Sequence, residues 1–455
     1  MTTVAAPTAT SITIEVLEDI FGEVEPRNFA VRLWDGTRWA PDGSTGPAFT
    51  IVVERPQGLT RLLRADTQAA LAEAYLFGDL SIEGDIFAVP PVGRSVLERR
   101  RRLTDRARIA LRLARLRRLG AGDGAGAGGE VEPGQESLQA PELRGALHSV
   151  DRDRAAVTHH YDLSNRFYSL FLDPRMVYSC AVFTEPGETL ESAQLRKIDL
   201  ICRKLRLREG DRLLDIGCGW GALILHAVTE YGAEAVGITV SERQAEVARQ
   251  RIRDAGVESR CRVEVRDYRT LEGAGEFDRI ASVGMFEHVG RARAAEYFAT
   301  IHRLLRPGGT YLHHAITANP RVEPSGGLSL SDKYVFPDHE LIPIGETLTH
   351  AEQAGFDVRD VEDLREHYAL TLRRWVEALE ARRDEAIAEV GDPAWRAWRL
   401  VFAGAAIDFE HGRQGLVQVL LAKPRADGSA EVPLGRWDWY REGDREDHIE
   451  RVHRR

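Results

Sequence analysis

No run of about 18 apolar residues occurs in this 455-residue chain, so no segment reads as a helix that crosses a bilayer. Its start, Met1 to Thr10, is small and polar and lacks the charged-then-apolar order of a secretion signal. Cysteine is scarce. Cys180, Cys202, Cys218 and Cys261 form no CxxC pair and no metal-ligand spacing, so no metal site is expected and free thiols in a reducing cytoplasm are. Positive charge is also short: a net charge of −10 argues against general nucleic-acid binding. What remains, 43% hydrophobic and 29% charged residues, is the composition of a soluble globular protein. The length exceeds what one hydrophobic core usually covers, so two domains are expected.

The stretch Gly120 to Gly129, GAGDGAGAGG, cannot bury a core and reads as a flexible tether. Around it the chain divides into an N-terminal unit (1–93), an Arg-rich and Gly-rich connection (94–139), a larger unit (140–425) and a tail (426–455). Strand-like runs at 29–34 and 48–54 and a helical run at 65–75 predict a small α+β module in the first unit. It holds no cluster of catalytic residue types and is expected to bind lipid or dimerise. From Arg94 to Arg118 eleven arginines stand against Glu98 and Asp105, a local charge of +9. There Leu103, Ala107, Ala110, Leu111 and Ala114 share one helical face and Arg108, Arg112 and Arg115 turn away. A basic helix on an anionic lipid surface has this pattern, and so does a solvated helix before a linker.

In the larger unit, strands are predicted at 212–216, 234–239, 262–266, 277–283, 309–316 and 415–421. Amphipathic helices lie between them, including 241–255 and 294–305, which implies a doubly wound parallel sheet. Residues 320–413 read as an insertion able to cap a site, with a helix at 371–388. The first strand runs into Asp215-Ile216-Gly217-Cys218-Gly219-Trp220-Gly221, a tight turn ahead of a helix starting near Ala222. Residues 217, 219 and 221 let backbone approach a ligand and helix pack on strand. The dinucleotide pattern GxGxxG is not met. GxGxG behind an acidic residue resembles the first motif of class I S-adenosylmethionine methyltransferases, in which Asp215 would face the cofactor's amino-acid end and Gly217, Gly219 and Gly221 would lie under its sulfonium and ribose. Thr239 and Gln244 are placed to bond the ribose, and Asp267 and Tyr268 to bond and stack the adenine.

Three further strings, HHYDLSNRFY (159–168), MVYSCAVF (176–183) and GMFEHVG (284–290), together resemble the cyclopropane fatty acid synthase and mycolic acid cyclopropane synthase family over residues 155–423. FGDLSIEGD (77–85) extends the likeness weakly into the first unit. The resemblance implies an α/β fold with a Rossmann-like, mostly parallel seven-stranded sheet, and methyl transfer from S-adenosylmethionine to the cis double bond of an acyl chain. It implies that bound bicarbonate is the base, held by Cys180, Glu287, His314, Ile316 and Tyr368. It also implies that Tyr178 and Ser179 contact the cofactor and that His160 and Tyr168 belong to a lid over it. Relatives often carry a cysteine where this chain has Gly404-Ala405-Ala406, so no thiol acts there.

The resemblance makes phospholipid acyl chains the expected substrate, and an enzyme in the cytoplasm docked peripherally on the inner membrane face. Residues 402–413 resemble an actinobacterial branch that forms methylene-branched chains, which leaves ring and methylene products both open. Whether the chain forms a homodimer, and whether a reductase acts next, are open too. Two rival readings stand beside this one: a methyltransferase for another small apolar metabolite, and a non-catalytic lipid-binding protein with a degenerate methyltransferase domain.

Overall fold

Apolar strand and amphipathic helix alternate through the larger unit, and the alternation builds one seven-stranded sheet. The computed structural model describes residues 8–44, 46–54, 68–98, 103–120, 138, 140–161, 163–322 and 329–440. Residues 121–129 of the tether and 99–102 of the Arg-rich stretch therefore lie outside the described residues, and Gly120 ends a helix. The chain forms two compact units. One comprises Met1–Pro141, Pro324–Pro337 and Val376–Ile407, and the other Glu142–Glu323, Asp338–Trp375 and Asp408–Arg455. Two pieces of the supposed capping insertion thus cluster with the N-terminal unit, a grouping that linear spacing does not reveal.

In the first unit, β1 (Phe29–Arg32), β2 (Arg38–Trp39), β3 (Phe49–Val53) and β4 (Leu80–Gly84) form a sheet in the order β2-β1-β3-β4. Helix Ala9–Phe21 buries Val16, Leu17, Ile20 and Phe21 in the same core as Phe29 and Phe49, whose rings stack at 5.6 Å. The Arg-rich helix, Leu103–Gly120, turns a different face inward from the one expected. Ile109 and Leu113 join that core and Leu116 is buried, whereas Leu111 is 65% exposed and Ala107, Ala110 and Ala114 are exposed. The long aliphatic side chains of the i, i+4, i+7 stripe offer more area to bury than the alanine stripe does. Arg108 and Arg112 do not simply point to water: Arg108 pairs with Asp19, and Arg112 with Asp19 and Glu15.

The second unit contains β5 (Arg212–Ile216), β6 (Glu234–Thr239), β7 (Cys261–Val265), β8 (Phe277–Val283), β9 (Leu305–Ala318), β10 (Asp357–Asp363) and β11 (Gln414–Ala422). Their order is β10-β11-β9-β8-β5-β6-β7. Strands β5 to β9 run parallel; β11 is antiparallel to both β9 and β10. The strand β10 arises within the supposed insertion. Its sequence, DVRDVED, has no apolar run because it is an edge strand bonded on one side only. The helix expected at 371–388 is two helices, Arg365–Ala381 and Arg383–Val390.

The first part of the tail is tied down: Glu431 accepts hydrogen bonds from Arg279 and Arg306, and Trp439 is buried. Hydrophobic clusters cover both faces of the sheet. At Gly237 in β6 a Cβ would stand 2.7 Å from Cys218 Sγ and 2.9 Å from Ile224 Cδ1, so this strand supports the glycine turn at van der Waals contact. Gly237→Ala is expected to destabilise the protein by about 1–3 kcal/mol, read as a lower urea midpoint. An unchanged midpoint would show that the turn yields freely.

Candidate active site

The C-terminal ends of β5, β6, β7 and β8 open onto one cavity, at the place where strand order reverses between β5 and β8. Asp215 and the turn 217–220 line it from β5, Thr239 and Gln244 from β6, Asp267 and Tyr268 from β7, and Gly284, Met285 and His288 from β8. The glycines serve different ends. Gly217, Gly219 and Gly221 all have positive φ (83°, 53° and 83°), which favours glycine. A Cβ on Gly217 or Gly221 would crowd Met285 or Ala248 at 3.1 and 3.0 Å, whereas one on Gly219 would meet nothing within 4 Å. Gly219 therefore leaves room for a ligand.

Asp215 is 3% exposed, and its Oδ1 has no hydrogen-bond partner among the described residues. Burial pushes its carboxyl up to about 7, against the opposing pull of Lys197. Lys197 is itself buried and pushed down to about 8; its Nζ donates to Ser179 Oγ at 2.9 Å. Across the cavity Thr239 Oγ1 donates to Gln244 Oε1 at 2.8 Å, so the Gln244 NH2 is left to donate to a ligand oxygen. Ser241 caps that helix through the Gln244 N–H. Asp267 is held by Arg269, which donates to both carboxylate oxygens at 2.9 and 2.7 Å. Tyr268 packs edge-on against Tyr297, with ring centroids 5.3 Å apart.

A second group of buried polar residues lies in the same unit, and none of it lines the cavity. Ile316 N–H donates to Glu287 Oε1 at 2.6 Å, while Glu287 Oε2 has no partner among the described residues. Burial raises the Glu287 carboxyl to about 7. His314, two residues before Ile316 and so on the same face of β9, is 1% exposed, and its Nε2 has no partner among the described residues. Cys180 is fully buried, its thiol driven upward by burial. Its Sγ lies 3.8 Å from the Leu364 carbonyl, which also accepts from Tyr368 N–H at 3.2 Å. Leu364 N–H in turn donates to the carbonyl of Leu416, the residue opposite Ile316 in the sheet. Backbone thus links all of these segments.

The sequence profile described as mycolic acid cyclopropane synthetase matches residues 148–419, more than half of the chain. The chain belongs to this family. A domain of unknown function matches residues 16–90. A probable fatty acid methyltransferase of Pseudomonas putida is 40% identical over 414 residues, 90% of this chain and 96% of that one. Cyclopropane mycolic acid synthase 3 of Mycobacterium tuberculosis is 39% identical over 279 residues, 58% of this chain and 95% of its own length. The solved structure of the mycolic acid cyclopropane synthase CmaA1 with SAH and CTAB is 36% identical, with TM-score 0.56, over 59% of this chain and 97% of that one. The fold is that of an S-adenosylmethionine-dependent methyltransferase, and the chain is such an enzyme.

The cavity fits that cofactor. The unanswered carboxylate oxygen of Asp215 suits an ammonium, the Gln244 amide a hydroxyl, and the open space at Gly219 the ligand's bulk. Tyr178 and Ser179 line the cavity as well. Tyr168 does not. Its ring is fully buried between Trp220 at 5.1 Å and Tyr178 at 5.4 Å, both of which line the cavity. Of His160 only the backbone, in helix Val150–Tyr161, is described, and its expected role lies outside the described side chains.

The sequence reading missed Lys197, Gln194 and Trp220. Gln194 Nε2 holds the Ser179 carbonyl at 2.8 Å, and Trp220 Nε1 donates to Asn165 at 2.8 Å. A signal was present: Gln194, Lys197, Ile201 and Lys204 fall at i, i+3, i+7 and i+10, one face of helix Leu190–Leu205, and all four are buried. Polar residues in phase with an apolar stripe mark interior work.

Asp215→Asn is expected to weaken cofactor binding by about 1.5–3 kcal/mol, roughly tenfold to a hundredfold. A carboxyl raised on folding costs stability as pH climbs from its ordinary value, about 4, through about 7. The ligand-free variant should therefore match or exceed the parent's thermal stability at pH 7.5. In the parent, affinity should rise with pH through about 7 as Asp215 ionises, and in the variant this rise should vanish. Titration calorimetry across pH checks both, and equal affinities would remove Asp215 from the binding set.

Proposed function

We propose that this methyltransferase alkylates the cis double bond of an unsaturated acyl chain in a membrane phospholipid, giving a cyclopropane or a methylene-branched chain. The observation that carries the reading is the second polar group: Glu287 Oε2 and His314 Nε2 are buried and have no hydrogen-bond partner among the described residues. Polar atoms are rarely left so unless a ligand completes them. Bicarbonate is the small anion we assign there, with Cys180, Glu287, His314, Ile316 and Tyr368 around it.

The cofactor supplies an electrophilic methyl group, and bicarbonate a base for the proton that is lost. The π electrons of the alkene form the new carbon–carbon bond, and the sulfonium sulfur keeps the pair from the broken bond. Positive charge then sits on the acyl chain until the proton leaves. Aromatic faces stabilise such charge. Tyr178 lines the cavity and has Trp375 at 5.1 Å, Tyr168 at 5.4 Å and Phe171 at 6.2 Å, an aromatic surround. Glu287, with a carboxyl near neutrality, is suited to share a proton with the base.

The relative aligned over 90% of this chain is named as a fatty acid methyltransferase, whereas the mycolic acid synthase aligns over 58%, which supports a fatty acyl chain over a mycolic one. One feature of the first unit supports a membrane lipid as its carrier. In the first unit, helix Leu103–Gly120 exposes Leu111 with Ala107, Ala110 and Ala114 beside Arg115. A basic helix with an open apolar strip suits an anionic membrane.

Incubation with methyl-labelled cofactor and liposomes of monounsaturated phosphatidylglycerol should place label in the lipid acyl chains. Absence of label in lipid, with label in a free fatty acid control, would replace the phospholipid assignment. Glu287→Gln should lower turnover at least a hundredfold, the scale of a lost acid–base group, with cofactor affinity within about twofold of the parent. Full turnover in this variant would dismiss the anion site.

A further inference from the structure

His314 stands two hydrogen bonds from a buried lysine, and this decides which of its nitrogens carries a proton. Lys204, on helix Leu190–Leu205, has a side chain 1% exposed, and its Nζ donates to Gln418 Oε1 at 2.9 Å and to Glu362 Oε2. Asp360 is a third, more distant neighbour at 3.9 Å. An ammonium has donors only, so the oxygen of the Gln418 amide must face Lys204 and the NH2 must face away. In the opposite direction lies Nδ1 of His314, 3.2 Å from Gln418 Nε2; the two residues are direct partners across β9 and β11. An NH2 group can only donate. Nδ1 must therefore accept, and the single proton of the neutral ring belongs on Nε2.

The ring is kept neutral by burial and by the positive charge of Lys197 and Lys204, with His313 beside it. Its Nε2 is buried and has no partner among the described residues. We infer that Lys204 and Gln418 are positioning residues that hold His314 as a fixed Nε2–H donor toward the anion of the proposed reaction. The choice of bicarbonate as that anion rests on the reading given under Proposed function, whereas the tautomer stands on the hydrogen-bond chain alone.

The decisive measurement is nitrogen-15 NMR of histidine-labelled, full-length enzyme, with the His314 signals identified by their loss in His314→Asn. The parent should show Nδ1 unprotonated and Nε2 protonated. In Gln418→Glu the carboxylate can only accept, so Nδ1 should gain a proton. Protonated Nδ1 in the parent, or unprotonated Nδ1 in Gln418→Glu, would overturn the assignment; should the variant not fold, the parent spectrum alone decides. For the role in turnover, Gln418→Leu should raise the half-saturating bicarbonate concentration on the order of tenfold, as loss of an outer-shell partner does, with the affinity for S-adenosylmethionine held within twofold. An unchanged half-saturation would dismiss the positioning role. Parent turnover that ignores bicarbonate would dismiss the anion and leave the nitrogen shifts to judge the tautomer.

Discussion

Burying an ammonium group is costly, and the interior of the second unit is arranged around two of them. Lys197 and Lys204 project from one helix into a core that water does not reach, where an unpaired charge would cost several kcal/mol. Lys204 is answered in full by Gln418 and Glu362, with Asp360 near. Lys197 is answered only in part, by Ser179 Oγ and by the field of Asp173 and Asp215. Lys197 lines the cavity, and its charge also acts on Cys180 and His314. Asp215 Oδ1, Glu287 Oε2 and His314 Nε2 are likewise unfinished. In the reading proposed above, Asp215 Oδ1 is completed by the cofactor, and Glu287 Oε2 and His314 Nε2 by the anion.

The sheet explains how the cofactor residues come together. Parallel strands deliver their C-terminal turns to one edge, and the reversal of order between β5 and β8 opens a crevice there. The cofactor residues need no distant help, since four successive turns carry most of them. The second group depends on long-range geometry. Glu287 follows β8, His314 and Ile316 belong to β9, Cys180 precedes helix Leu190–Leu205, and Tyr368 lies in helix Arg365–Ala381. Register between β9 and β11 sets Gln418 against His314, and one residue of slip would turn that amide to the other face.

Much of the fold was legible. The buried strands were found within a few residues because continuous apolar runs between glycine turns have few other solutions, and the turn after β5 announced both its geometry and its cofactor. β10 was not legible, since an edge strand bonded on one side need not be apolar. The inward face of helix Leu103–Gly120 was misjudged, because a stripe of alanines and a stripe of larger aliphatics both satisfied the period and only packing chose between them. A tyrosine in a short helix gives no hint in the sequence that four aromatic rings surround Tyr168.

By itself the order of residues determined the period of each element, the glycine turn at 217–221 and the residue types available for chemistry, because these follow from local sterics and from spacing along the chain. Tertiary structure alone decided which atoms are dry, which hydrogen bonds are completed and which remain open, and hence the carboxyl of Asp215 near neutrality and the acceptor role of His314 Nδ1. The reason is physical. Desolvation and donor–acceptor pairing depend on everything within a few ångströms of an atom, and most of those neighbours lie far away in sequence.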